Sequence, residues 1–313
     1  MTNELQKYLD PKVLSRITRL DLQMRLLVEG FVSGMHRSPM RGLSVEFASH
    51  REYAPGDDIK HIDWKVQAKT DRYYIKQYEE ETNLKATFVV DASESMHYGS
   101  DDLKDGMTKF QYASAVAASL AFLLLQQQDA VGLAVFDDKL RTYLPASSHP
   151  NHIKTFVHSL ATSEPREKTS LEDVCHAVAE KIPRRGLVCL VSDLFGDIEG
   201  LSRGLQHFRH MGHEVAVLHI MDVDELTFPF QGNTLFRGLE QAGEAMAEPR
   251  SLRDGYLEAM ESFCLDIRRR CIANRIDYKR ISTADHLDSA LLAFLAARSV
   301  ASRKAGAKSG ARR

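Results

Sequence analysis

The segment Ala86-Thr87-Phe88-Val89-Val90-Asp91-Ala92-Ser93-Glu94-Ser95 decides the fold of this chain. Its first five residues form a largely apolar run that leads directly into a polar one, and this pattern is typical of a buried strand in a parallel sheet. In a doubly wound sheet, ligands bind at the carboxyl ends of such strands. The sequence therefore predicts a polar site directly after this strand, built from Asp91, Ser93 and Ser95.

The chain downstream of residue 84 alternates between predicted strands and predicted helices. Buried strands are predicted at residues 130–136, 186–192 and 215–220, with an edge strand at 278–282 and a hairpin at 228–239. Helices are predicted in the intervening segments and at 287–298. Such alternation is typical of an α/β protein with a doubly wound, mostly parallel sheet and helices on both faces.

Both ends of the chain differ from this pattern. Residues 1–83 are predicted to form a helix at 13–32 and a small β extension with antiparallel strands near 44–47 and 73–78. Residues 84–300 form the predicted α/β domain, and the basic tail at 301–313 is predicted to be disordered. Trp64 lies among charged residues, which favours either an ion-pair network with the indole as its apolar plug or a docking surface.

Composition excludes several classes of function. The formal net charge of −2 over 313 residues predicts neither a nucleic-acid-binding nor a membrane-surface protein. The first residues lack the basic-then-apolar order of a signal peptide, and the longest nearly apolar stretch, residues 113–125, is too short to span a bilayer. We therefore predict a cytoplasmic protein without direct membrane insertion. The four cysteines form no Cys-x-x-Cys pair, so we expect buried free thiols.

Two more oxygen donors follow the first motif. Thr169 precedes a predicted helix, and Asp193 follows the predicted strand that ends at residue 192. Neighbouring parallel strands would bring both to Asp91, giving two carboxylates and three hydroxyls that suit Mg²⁺, with Ca²⁺ or Mn²⁺ as alternatives. Ser and Asp are also common as helix caps and turn formers, so the first motif alone does not separate these roles.

The order Asp-x-Ser-x-Ser, then Thr, then Asp resembles the metal-ion-dependent adhesion site of von Willebrand factor type A domains. The segment at residues 51–65, REYAPGDDIKHIDWK, resembles the signature of the bacterial domain of unknown function 58 family, and the resemblance covers about residues 35–220. It implies direct metal contacts from Ser93, Ser95 and Thr169. It also implies that Asp91 and Asp193 act largely through bound water. Glu167 and Lys168 stand where relatives often carry glycines, so Ser170 is an alternative to Thr169.

The resemblance also implies a function. Adhesion sites of this kind bind a carboxylate of a partner protein as the last ligand of the ion, and the family works beside MoxR-type AAA+ ATPases in maturing or remodelling other proteins. We therefore expect a non-enzymatic interaction module with no catalytic residue and no cofactor other than the ion. The alternative is a metal-dependent phosphoesterase, for which Glu94 is the only nearby candidate base. Because the ligands are expected at the sheet rim, Asp193→Ala and Ser95→Ala are expected to weaken partner binding and leave the fold intact.

Overall fold

A computed structural model of the chain describes residues 45–53, 64, 66–67, 72–80, 84–100, 107–166, 171–182, 185–232, 234–237 and 244–287. Residues 45–80 belong to one compact unit and residues 84–287 to another. The helix predicted at 13–32, nearly all of the one predicted at 287–298 and the predicted tail lie outside the described residues.

The smaller unit contains a two-stranded antiparallel sheet. Strand β1 (Val45–Glu52) pairs with β2 (Tyr74–Glu80), and the register shifts between Phe47 and Ser49. The pair is longer than the two short strands predicted from alternation. Trp64 is 59% exposed, so the expectation that its indole plugs an apolar interior is wrong.

The larger unit is built on a six-stranded sheet. Its strands are β3 (Lys85–Asp91), β4 (Ala130–Phe136), β5 (Leu140–Ser147), β6 (Leu187–Ser192), β7 (Glu214–Met221) and, after the separate hairpin of β8 (Thr234–Arg237) and β9 (Glu244–Ala247), β10 (Asp277–Ser282). The strand order is β10-β7-β6-β3-β4-β5, and every neighbouring pair is parallel except β4 with β5. This confirms the predicted mostly parallel sheet.

Helices cover both faces of this sheet. They are α1 (Lys109–Gln126), α2 (His152–Ala161), α3 (Leu171–Lys181), α4 (Ile198–His210), α5 (Val223–Thr227) and α6 (Pro249–Ala273). Phe88 meets Phe156 of α2 on one face, with ring centroids 5.8 Å apart. Val89, which points to the other face, belongs to a core shared with α3, α4 and α6. Because both faces are covered, β4 and β6 are buried along their whole length and read as continuous apolar runs.

The strand order reverses between β3 and β6. The chain moves from β3 outward through β4 to β5, then returns to the other side of β3 for β6, β7 and β10. In open α/β sheets, the loops leaving the two strands at such a reversal separate and open a crevice at their carboxyl ends. Asp91 ends β3 and Asp193 directly follows β6, so both lie at this point.

The predicted hairpin at residues 228–239 is wrong. The hairpin lies later in the chain, at β8 and β9, and residues 228–230 form no strand. Phe228 ends α5 with a left-handed backbone (φ 46°), and its ring packs against Phe230, Phe236 and Tyr256. The apolar residues that suggested a strand are therefore used in an aromatic cluster.

None of the helices in the described ranges is both long and apolar enough to cross a membrane.

Candidate metal centre

The structure brings four of the five predicted ligands to one edge of the sheet. Val90 of β3 pairs with Val191 of β6, which sets the ends of the two strands side by side. The Ser192 hydroxyl donates a hydrogen bond to Asp91 Oδ2 at 2.5 Å and so links the two strand ends directly. The backbone N–H of Ser93 donates to Asp91 Oδ1 at 2.8 Å. Each oxygen of Asp91 thus accepts a hydrogen bond from the protein, which fixes the direction of the carboxylate, and each keeps a further lone pair for an ion or for water on an ion.

The two serine hydroxyls lie next to each other. A 3-10 turn at Glu94–His97 follows Ser93 and folds the chain back, and the Oγ atoms of Ser93 and Ser95 are 3.0 Å apart. Adjacent ligands of an octahedral ion with bonds of about 2.0–2.1 Å lie about 2.9 Å from each other. The two hydroxyls share a hydrogen bond at this spacing, which is also compatible with two adjacent Mg²⁺ ligands.

The electrostatics of the edge favour a cation. Asp91 is fully buried, and burial together with the negative charge of Asp193 raises the pKa of its carboxyl to about 7. Hydrogen bonds from Ser192 and Ser93 favour the charged carboxylate but do not cancel these two effects. Two buried carboxylates this close repel each other when both are ionised. A divalent cation among the four side chains would relieve that repulsion.

Thr169 and its alternative Ser170 lie outside the described residues. The chain just before them runs beside the first motif, because the N–H of Arg166 donates to the carbonyl of Ala92 at 2.9 Å. Just after them, α3 begins at the buried Leu171. The choice between Thr169 and Ser170 stays a prediction.

Two charged residues at this edge were missed by the sequence analysis. Lys109, the first residue of α1, is fully buried, and its Nζ lies 2.7 Å from Asp193 Oδ2 and 2.6 Å from Glu225 Oε1. Burial opposes the charged ammonium, but the two carboxylates outweigh it and raise the pKa of Lys109. A lysine in the first turn of a helix is unfavourable for the helix dipole, and that was the available signal.

The turn after β6 fixes the direction of the Asp193 carboxylate. Leu194 is buried and has a left-handed backbone (φ 59°), a conformation that is costly for a residue with a side chain. The N–H of Leu194 donates to the Ser192 hydroxyl at 2.9 Å, and that of Phe195 donates to Asp193 Oδ1 at 3.3 Å. These hydrogen bonds and the burial of the leucine side chain offset the cost of the left-handed backbone.

The available donors fit a hard cation. Hydroxyl and carboxylate oxygens suit Mg²⁺, Ca²⁺ or Mn²⁺. Within the described ranges, no group of three or more His, Cys, Asp or Glu side chains could hold a metal, so an ion at the candidate site would depend on the serine hydroxyls as well as the two aspartates. All four described cysteines are buried free thiols, as predicted.

The expectation that Asp193→Ala leaves the fold intact is wrong in its premise. Asp193 is completely buried and does not lie at an exposed rim. Removing its carboxylate would leave the buried ammonium of Lys109 with Glu225 as its remaining carboxylate partner, a change that costs several kcal/mol in comparable sites, typically about 3–5. Ser95, at 8% exposure, has no such charged partner and is the better position for a test.

Comparison with known proteins identifies relatives without an assigned role. The sequence model of the family described as "Protein of unknown function DUF58" matches residues 49–262, more than half of the chain. The uncharacterized proteins Rv1480 of Mycobacterium tuberculosis and Mb1516 of Mycobacterium bovis are each 28% identical over 265 residues, covering 83% of this chain and 81% of their own length.

Several solved structures are also similar. BatB from Bacteroides thetaiotaomicron has a TM-score of 0.44 at 18% identity, covering 69% of this chain and 98% of its own. An aerotolerance-related membrane protein from Bacteroides fragilis has a TM-score of 0.44 at 21% identity, with coverage of 68% and 96%. The SpRpn10 VWA domain has a TM-score of 0.39 at 15% identity, with coverage of 67% and 94%. Each match takes in nearly all of the solved chain but only about two thirds of this one.

Proposed function

The chain belongs to the DUF58 family of proteins of unknown function, and from there we propose that it is a non-enzymatic protein-interaction module that depends on a divalent cation. Mg²⁺ is the first choice, held by Asp91, Ser93, Ser95, Thr169 and Asp193. The hydroxyls would contact the ion directly, and the two aspartates would act largely through water.

One observation carries this proposal. The Ser93 and Ser95 hydroxyls stand 3.0 Å apart beside two buried carboxylates at the strand-order reversal of the sheet. A bound cation would supply a Lewis-acidic position that accepts a carboxylate from the partner. Ser95 is slightly exposed, whereas Asp91, Ser93 and Asp193 are not, so the approach for such a carboxylate is on the side of Ser95.

A metal-dependent phosphoesterase is the alternative, and the arrangement of bases favours it less. Hydrolysis needs a base with a free oxygen near the ion. Glu225 is close, but its Oε1 accepts from Lys109 and its Oε2 accepts from the N–H of Asp222 at 2.8 Å. Glu94 is half-buried in the turn after Ser93.

The partner that we propose is a MoxR-type AAA+ ATPase, with or without a further protein that supplies an Asp or Glu to the ion. The sequence contains no Gly-x-x-x-x-Gly-Lys-[Ser/Thr] motif, so ATP hydrolysis would belong to the partner. We propose a cytoplasmic location and a role in the maturation or remodelling of other proteins, as the family resemblance implies.

Calorimetric titration with Mg²⁺ tests the proposal. Ser93→Ala and Ser95→Ala each remove one hydroxyl ligand, and we expect each to weaken Mg²⁺ binding about tenfold or more. Ser119→Ala in α1 is the matched control, because that hydroxyl is equally buried and has no hydrogen-bond partner in the structure. It should leave Mg²⁺ affinity unchanged.

Two results would contradict the proposal. One is wild-type protein that binds no divalent cation at millimolar concentration. The other is Mg²⁺-dependent turnover of a phosphoester panel that disappears in Ser95→Ala, which would favour the hydrolase. Co-purification of an AAA+ ATPase from the source cell, lost with chelator and lost with Ser95→Ala but retained with Ser119→Ala, would support the partner.

A further inference from the structure

Lys109 is an unusual neighbour for a divalent cation. Its ammonium is completely buried beside Asp193, one of the proposed ligands, and it also lies 5.0 Å from the ring centroid of Phe195. Two carboxylates, those of Asp193 and Glu225, contact this one positive charge. The edge therefore already contains an internal cation.

The ammonium and an ion would both use Asp193. Asp193 Oδ2 accepts from Lys109 at 2.7 Å, and Asp193 Oδ1 accepts from the N–H of Phe195 at 3.3 Å. A water molecule on the ion needs one of these oxygens as its acceptor. A divalent cation and an ammonium that share one carboxylate repel each other, and this repulsion is stronger in a buried site than in water.

Glu225 offers the ammonium a second anchor. Its Oε1 lies 2.6 Å from Lys109 Nζ, and its Oε2 is held by the N–H of Asp222 at the end of β7. Glu225 itself stands in the capping box of α5, so its position is fixed by that helix. The ammonium can therefore stay paired with Glu225 when Asp193 is turned toward an ion.

We propose that Lys109 sets the metal affinity of this site by competing with the divalent cation for Asp193, and that Glu225 holds the ammonium when the cation is bound. The proposal rests on the function proposed above. The lysine already neutralises part of the negative charge of the site without metal. The cation therefore binds less tightly, and the fraction of occupied sites changes with metal concentration. A site built in this way binds its ion reversibly and is not permanently loaded.

The test is a charge-neutral double variant, Lys109→Met with Glu225→Gln. It removes one positive and one negative charge together, and the amide oxygen introduced at position 225 can still accept from the N–H of Asp222. Calorimetric titration with MgCl₂ at pH 8, above the pKa of about 7 of Asp91, should show binding about tenfold or more tighter than wild type. The control is Glu261→Gln with Arg280→Met, which removes a surface pair 3.0 Å apart and should leave the affinity unchanged.

Equal or weaker Mg²⁺ binding by a folded double variant would overturn the inference, because Lys109 would then position Asp193 and not compete for it. Glu225→Gln alone provides a second measurement if the double variant does not fold. It leaves the ammonium with Asp193 as its only carboxylate partner, so Mg²⁺ binding should weaken several-fold, and unchanged binding would count against the inference. If wild-type protein binds Mg²⁺ but the variants do not change the affinity as expected, only the role of Lys109 is contradicted. If neither wild type nor any variant binds Mg²⁺, the proposed function is contradicted as well.

Discussion

Two buried aspartates lie at opposite ends of the sheet, and burial is the main cause of the raised pKa of each carboxyl. Asp129 precedes β4 at the amino end, where its Oδ1 accepts from the N–H of Leu84 at 2.9 Å, and burial raises its pKa to about 6. Asp91, at the carboxyl end, has the charge of Asp193 as well, and its pKa is raised to about 7. Asp91 differs from Asp129 in being more deeply buried and in having a second carboxylate beside it.

Asp91→Asn should flatten the pH dependence of stability in metal-free buffer. The folded-state pKa of Asp91 lies above its unfolded value of about 3.9, so protonated Asp91 stabilises the fold fully below that value. This contribution is lost as the pH rises through about 7. Urea unfolding with chelator at pH 5 and pH 8 measures the change in unfolding free energy, which should be smaller for Asp91→Asn than for wild type.

Asp129→Asn is the matched control for the loss of metal-dependent stabilisation that we expect in Asp91→Asn. It removes a similar burial effect whose loss is centred near a pKa of about 6, and it does not touch the candidate ligands. At pH 8 with Mg²⁺, Asp129→Asn should keep metal-dependent stabilisation and Asp91→Asn should lose it. The same pH slope in wild type and Asp91→Asn would show that Asp91 does not titrate in this range.

Sequence reasoning found the side chains that follow buried strands. Asp91, Ser93 and Asp193 lie at or just after the ends of strands that are buried on both faces. Such strands appear in the sequence as continuous apolar runs, and the polar residues that follow are easy to identify. The sequence analysis missed Lys109 because its role depends on contacts with Asp193, 84 positions away, and with Glu225, 116 positions away. A contact of this range has no local pattern, so only the folded chain reveals it.

Helix α1 begins next to the turn that follows the first motif. Thr108 caps it in a capping box with Gln111, and the N–H of Lys109 donates to the carbonyl of Tyr98 at 2.8 Å. Gly99 makes the close approach possible, because a Cβ there would lie 2.8 Å from the Cα of Thr108. The start of this helix therefore determines where the ammonium of Lys109 is placed.

Thr108→Ala should destabilise the fold by about 1 kcal/mol, the usual effect of losing an N-cap side chain. The side chain accepts from the N–H of Gln111 at 3.2 Å, and alanine offers no acceptor. Thr108→Ser keeps the hydroxyl and should stay close to wild type. Urea unfolding followed by circular dichroism measures both, and a serine variant as unstable as the alanine variant would exclude capping as the cause.

The predicted elements were most accurate where packing on both faces determines the sequence. The strand predicted at 130–136 has the observed bounds, and that predicted at 186–192 begins one residue early. The hairpin was misplaced because Phe228 and Phe230 pack against each other in an aromatic cluster, in which Phe228 also contacts Tyr256 of α6. Short apolar runs outside the sheet do not show which partner they contact.

In the larger unit, metal binding at the proposed site would be linked to global stability, because the candidate ligands come from the ends of two central strands of one sheet. A ligand that binds only the folded state stabilises it by an amount that grows with ligand concentration, about 2.7 kcal/mol at one hundred times Kd. Separation of β3 from β6 on unfolding would take Asp91 and Asp193 apart and release the ion.

The melting temperature should therefore rise with Mg²⁺ concentration and return to its starting value with chelator. Ser95→Ala should melt close to wild type without metal and show little or no rise with Mg²⁺, because it lacks one ligand. Differential scanning calorimetry across a Mg²⁺ series measures this. A rise of the same size in Ser95→Ala would place the stabilising ion elsewhere.

One edge of the main sheet has a residue that hinders the pairing of a further strand. Strand β5 is the outermost strand beside β4, runs antiparallel to it, and contains Pro145. Proline has no N–H to offer a further strand, which is why it is tolerated at sheet edges and hinders pairing there. On this side the proline hinders the addition of a further strand, such as an edge strand from a second copy of the chain.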